Sequence, residues 1–240
     1  MSADGDAILE HLRTVDAERR RRAASPDLGV RVAALKAYQQ RRFSHTYADL
    51  LATSRYGPAA RFFLDELYGP DDFSQRDAQF ARVVPALVRL FPHEVVGTVR
   101  TLAELHALSE VLDSIAALHL PEGRVDTPAY VRAWQEAGRE HDRERQIALT
   151  LSVGESLDRL TQHPLVRHSL RMMRGPARAA GLAELQRFLE TGFDTFRAMR
   201  GSREFLSTVG SRERALAQAL FAARFDEEGH LGDIALGQLP

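Results

Sequence analysis

Between positions 93 and 120, Leu102, Leu105, Leu108, Leu112, Ile115 and Ala116 return every third or fourth place. That is the period at which an α-helix presents one face to a core. In a strand, where side chains alternate, the same residues would be scattered over both faces. Comparable spacing recurs with Ile8, Leu9, Leu12 and Val15, with Val32, Leu35, Phe43, Tyr47, Leu50 and Leu51, and with Leu182, Leu185, Leu189, Gly192, Phe196 and Met199. No alternating run framed by hairpin turns competes with these patterns. The expected fold is all-α, a single multi-helix bundle of eight or nine helices.

Breaks in the pattern divide the chain. Pro58 suits the first turn of a helix and Gly69-Pro70 its end, and Ser74, three residues before Asp77, opens the next. Gly201-Ser202 and Gly210-Ser211 each read as a stop followed by a new start. The stretch 121–127, with Pro121 and Gly123, is the one internal boundary. Residues 1–225 are therefore expected to form one helical domain with a sub-bundle break there, and residues 226–240, rich in Gly and acid, a flexible tail.

Absences narrow the chemistry. Lys36 is the only lysine and follows Leu35, so a phosphate-binding GK[ST] loop is excluded, and a Schiff-base enzyme would have to use Lys36 itself. The chain has no asparagine and no cysteine, which removes kinase-type metal loops, Cys-His-Asn chemistry, thiolate ligands and disulfides. A formal net charge of −1 supplies no general field for nucleic acid or an anionic membrane. The opening MSADGDAILEHLR lacks the apolar centre of a signal peptide, so a soluble, cytoplasmic protein is expected.

The segment FFLDELYGPDDFSQRD at 62–77, followed by Arg82 and Pro85, resembles the signature of a family of uncharacterised bacterial proteins. The similarity extends over 39–50, over the helix that holds Leu112 and Asp113, and over the GFDTF and SREFL segments. It implies one coherent fold and brings no activity with it.

Candidate site residues come from helical spacing. His106, Glu110 and Asp113 stand at i, i+4 and i+7, on one line of the 93–120 helix roughly 100° from its leucine stripe. An imidazole and two carboxylates are a donor set for a divalent metal, although the paired Glu-x-x-His motifs of carboxylate-bridged bundles are missing. His119 and His168 are candidate haem ligands. The Arg19-to-Arg22 run and the charged segment EAGREHDRERQ at 136–146 read as solvated faces. Gly192, inside a leucine seam, predicts the close approach of a crossing helix or a planar ligand. Arg61, Asp65, Arg76, Asp77 and Arg82 are expected to tie helices together at the surface.

Two classes of function remain. One is a non-catalytic interaction or regulatory protein working as a homodimer or with a protein partner. The other is a helical pocket protein or enzyme that binds haem or a divalent metal through His, Glu and Asp side chains.

Overall fold

The computed structural model describes residues 2–66, 74–228, 231, 239 and 240. Part of the family-like segment, 67–73, lies outside the described residues. Twelve helices follow one another: α1 (Ala3–Ala24), α2 (Pro26–Thr46), α3 (Ala48–Ala52), α4 (Gly57–Glu66), α5 (Ser74–Leu90), α6 (His93–Ala117), α7 (Thr127–Ala137), α8 (Glu140–Thr161), α9 (Pro164–Met172), α10 (Arg174–Ala179), α11 (Ala183–Ala198) and α12 (Arg203–Ala222). The all-α expectation holds. Among the described residues there is no strand, only an isolated antiparallel bridge between Phe225 and Leu231. None of these helices is long and apolar enough to cross a membrane.

The count of eight or nine is too low because short-range breaks carry little sequence signal. The segment 28–54 splits at Tyr47, whose side chain is fully buried, giving α2 and α3. The segment after Asp126 splits at Gly138, which takes a left-handed φ of 60° and caps α7 through an N–H donated to the Trp134 carbonyl. Conversely, Gly210 does not end a helix: α12 runs through it. A Cβ there would stand 2.9 Å from a Leu151 methyl, so the glycine marks a close crossing of α8 and α12. Gly192 on α11 behaves alike, with the tip of the Phe62 ring from α4 at 2.9 Å from where a Cβ would lie. The neighbour at the seam is therefore a crossing helix.

α6 is the central rod, packed against α1, α2, α5, α7 and α8, while α8 also supports α11 and α12. This changes the reading of the leucine stripe. Leu102, Leu105, Leu108 and Ile115 are only half-buried, while Ala103, Ala107, Glu110, Leu112, Asp113, Ser114 and Ala117 are buried. A helix enclosed on most sides has no single wet face, and small residues let its neighbours approach.

The apolar interior is divided into three clusters. One joins Leu28, Leu35, Tyr38, Tyr130, Trp134, Leu216 and Leu220. A second, rich in aromatics, joins Phe43, Tyr47, Phe63, Phe196, Phe205 and Val209. The third joins Ile8, Leu12, Val84, Val96 and Ala103 near α1 and α5. Of the stretch read as a tail, Leu239 is buried and Leu231 packs against the first cluster.

Candidate functional site

The three clusters do not fuse. An internal cavity of about 160 Å³ lies between them, lined by residues of all three. It has two unlike walls. Phe43, Phe63, Phe188, Leu189, Phe205 and Leu206 supply apolar surface from α2, α4, α11 and α12. The other wall is charged, and helical periodicity builds it. Lys36, Gln39 and Arg42 fall at i, i+3 and i+6 on α2, and His106, Glu110 and Asp113 at i, i+4 and i+7 on α6, so each set runs along one side of its helix. Seven residues of α-helix rise about 10 Å, which sets the length of the polar wall.

α7 and α8 complete it. Asp126 caps α7 by accepting from the Ala129 N–H at 2.9 Å, which fixes the turn that carries Tyr130 and Trp134. After the Gly138 reversal, α8 brings back Arg143, whose guanidinium lies over the Trp134 ring at 4.3 Å. Arg143 and Gln146 both line the cavity, and the Gln146 amide donates to Ser109 on α6 at 2.8 Å.

The charges are tied in three groups. Glu110 accepts from the Lys36 ammonium at 2.7 Å and from the Arg22 guanidinium, which also donates to the Glu110 backbone carbonyl at 2.8 Å. Burial alone would raise this carboxyl, but Lys36 and Arg22 outweigh it and hold it at about 2. Asp77 accepts from Arg19 at 2.5 Å and meets the His106 Nε2 at 2.9 Å. Burial again opposes ionisation there, and the bonds to His106 and Arg19 win, so Asp77 lies below its ordinary range. Arg42 donates to Glu213, which also accepts from the Tyr47 hydroxyl at 2.6 Å.

Asp113 behaves differently. It accepts from the Gln39 amide at 3.0 Å, and the Lys36 ammonium is 4.0 Å away. Its burial dominates, with Lys36 pulling the other way and Glu110 adding to the rise, so Asp113 lies above the usual aspartate range. This sign gives a test. A carboxyl raised in the folded chain favours folding below its unfolded value of 3.8, and that contribution is lost as pH rises through the folded value. Asp113→Asn keeps an oxygen for Gln39 and removes the buried charge. The variant is expected to have a higher Tm than the parent at neutral pH, with a gap that narrows towards pH 4. A variant less stable than the parent throughout would refute this account of Asp113.

The sequence-derived candidates fall as follows. His106, Glu110 and Asp113 all line the cavity, but each is engaged by a different group: His106 by Asp77, Glu110 by Lys36 and Arg22, Asp113 by Gln39. Among the described residues no three His, Asp or Glu side chains are grouped to hold a metal ion. His119 pairs with Glu136 at 3.1 Å and His168 is exposed, and neither lines this cavity.

Two surface readings need correction. Arg61, Asp65 and Arg82 are exposed, as expected, with Arg82 donating to the Ala180 carbonyl at 3.2 Å. Arg76 and Asp77, however, line the cavity, and the Arg76 guanidinium stacks 4.4 Å over the Phe188 ring. In the Arg19-to-Arg22 run, Arg20 and Arg21 face solvent, whereas Arg19 and Arg22, three apart, turn inward to Asp77 and Glu110. Likewise Glu136, Glu140, His141 and Glu144 are exposed, while Arg143 between them is buried.

Sequence reasoning missed Arg22, Gln39, Arg42, Arg143, Tyr130, Trp134 and Glu213 as site residues. The available signal was in α2, where Lys36, Gln39 and Arg42, three apart, each stand next to a member of the buried set Leu35, Tyr38 and Phe43.

As chemistry, the cavity offers an imidazole held in orientation by a carboxylate, a buried carboxyl biased towards its protonated form, and fixed cations beside an apolar surface. The family described as Domain of unknown function (DUF8198) matches residues 18–227, a span that contains every residue of the site from Arg19 to Glu213. No curated protein and no solved structure matches the chain.

Proposed function

We propose that this chain, which belongs to the DUF8198 family, binds a small amphipathic molecule inside its helical bundle. One observation carries the reading: a cavity of about 160 Å³ with a charged wall of α2, α6 and α8 residues facing an aromatic and aliphatic wall. Helical proteins ordinarily close such a space with apolar side chains. Here buried cations and carboxylates hold it open, at a desolvation cost that packing alone does not require. Pockets for small ligands share this composition, mostly apolar with a few placed polar groups. The size suits a ligand of about one ring or a short chain, since an apolar cavity near 150 Å³ accepts benzene.

An interaction surface has weaker support. The large apolar side chains left in solvent among the described residues are Val30, Leu90, Leu118, Met172 and Met173, spread over α2, α5, the end of α6 and the α9–α10 junction.

Trp134 is the only tryptophan and lines the cavity, so its fluorescence reports occupancy directly. The test is a panel of benzene-sized compounds with anionic, neutral and cationic head groups, read by Trp134 emission and by thermal shift. At least one head-group class is expected to raise Tm and change the emission, because a ligand that binds only the folded chain stabilises it. No response from any member of the panel would sink the reading.

A further inference from the structure

The cavity carries a chemical bias at one end that goes beyond its general amphipathic character. Three polar atoms there are buried without a hydrogen-bond partner in good geometry: the Tyr130 hydroxyl, the Trp134 indole nitrogen and the Arg42 Nε. All three belong to residues that line the cavity. They are also neighbours. The Tyr130 and Trp134 rings are 5.8 Å apart, and Arg42 acts on Tyr130 electrostatically. The Trp134 N–H also lies where it can donate to the Tyr130 oxygen, which favours the ionised phenol. Even if that N–H is counted as a long donor to Tyr130, the hydroxyl proton still has no acceptor.

Two of these groups are donors only, and the third has its proton unplaced. Unmet buried groups of this kind are uncommon, because each costs about 1–3 kcal/mol. A water would accept from two of these groups but must also place two protons of its own. A carboxylate brings none and accepts at two oxygens.

The charges point the same way. The charges acting on the Tyr130 hydroxyl are Arg42 and Arg143 against Glu213, two cations to one carboxylate. The opposite wall, with Phe63, Phe205 and Leu206, is suited to an apolar body.

Resting on the reading of the cavity as a ligand site, we infer that its ligand is a small apolar monocarboxylic acid. Its carboxylate is received by the Tyr130 hydroxyl and the Arg42 Nε–H, with Trp134 beside them, and its ring or short chain lies against the aromatic wall.

The test uses the full chain with benzoate, phenylacetate and hexanoate as probes, against benzamide, benzyl alcohol and benzylamine. Affinities are taken from Trp134 fluorescence and checked by calorimetry. At least one carboxylate is expected to bind tenfold or more tightly than the neutral and cationic compounds, and to weaken below pH 4 as it is protonated.

The companion variant is Tyr130→Phe. Because the proton of the hydroxyl has no acceptor within the protein, this variant should fold with unchanged or higher Tm. Its affinity for the best carboxylate should fall about tenfold, the loss of one hydrogen bond to a charged acceptor. Benzamide or benzylamine binding as tightly as the acids would overturn the inference while leaving the cavity a ligand site. Tyr130→Phe binding carboxylates like the parent would overturn it too. Silence from all six probes would remove both readings together.

Discussion

Glu213→Ala is expected to lower the free energy of unfolding by roughly 3–5 kcal/mol, the cost of leaving a buried charge without its partner. The Arg42 side chain is only 5% exposed and its guanidinium donates to Glu213. Burial acts against the charged form, and Glu213 outweighs it, so Arg42 is held cationic. Arginine cannot escape by losing a proton, as a buried lysine can. The truncation would also strip the Tyr47 hydroxyl of an acceptor at 2.6 Å.

The contrast with a double replacement separates pairing from packing. Arg42→Met together with Glu213→Leu removes both charges and fills much of the same volume. Exchanges of this kind are often neutral or stabilising. Denaturant unfolding of the parent, the single variant and the double variant should therefore give a large loss followed by a substantial recovery. A single-variant loss under about 1 kcal/mol, the range of solvated surface pairs, would mean that the pair is not sealed from water. If the recovery comes at the expense of ligand binding, the buried ions are there for the cavity rather than for stability.

The helices were legible in the sequence because their signal is local. Ile8, Leu12 and Val15, or Leu185, Phe188, Gly192 and Phe196, need only their own spacing to declare a buried face, and the structure buries them. The α6 line of His106, Glu110 and Asp113 was legible for the same reason. What those side chains meet was not. Glu110 owes its environment to Arg22 on α1 and Lys36 on α2, 88 and 74 residues away.

Whether an arginine is wet or buried depends on which helix crosses it, and composition does not encode that. Arg143 sits among residues as polar as itself, yet the turn at Gly138 folds it back onto Trp134. Arg20 and Arg22 are chemically alike and two residues apart. One pairs with Asp16 on its own helix in solvent, while the other reaches Glu110 inside. A charged run on an amphipathic helix therefore has to be read position by position, by which members share the angle of the apolar stripe.

Glu110 is the site's second point of large energetic leverage, and pH exposes it. Its carboxyl titrates at about 2 in the folded chain against an ordinary value of 4.5. A depressed carboxyl stabilises the fold fully above its unfolded value and loses that contribution as pH falls through the folded one. Between pH 5 and pH 2, Glu110 should therefore withdraw on the order of 3 kcal/mol. Protonation would also leave Lys36 and Arg22 facing each other across a neutral acid, with Arg22 still tied by its bonds to the Glu110 carbonyl at 2.8 Å and the Ser114 hydroxyl at 3.0 Å.

Asp113 works in the opposite sense over part of the same range, because lowering the pH relieves its forced ionisation. The two carboxyls stand one helical turn apart and share Lys36. Glu110→Gln, isosteric but uncharged, should start less stable at pH 7 and show a much flatter acid limb. Urea midpoints measured at intervals from pH 7 to pH 2 decide the matter. If parent and variant lose stability in parallel below pH 5, acid sensitivity arises elsewhere and Lys36 does not depend on Glu110 for its place on the cavity wall.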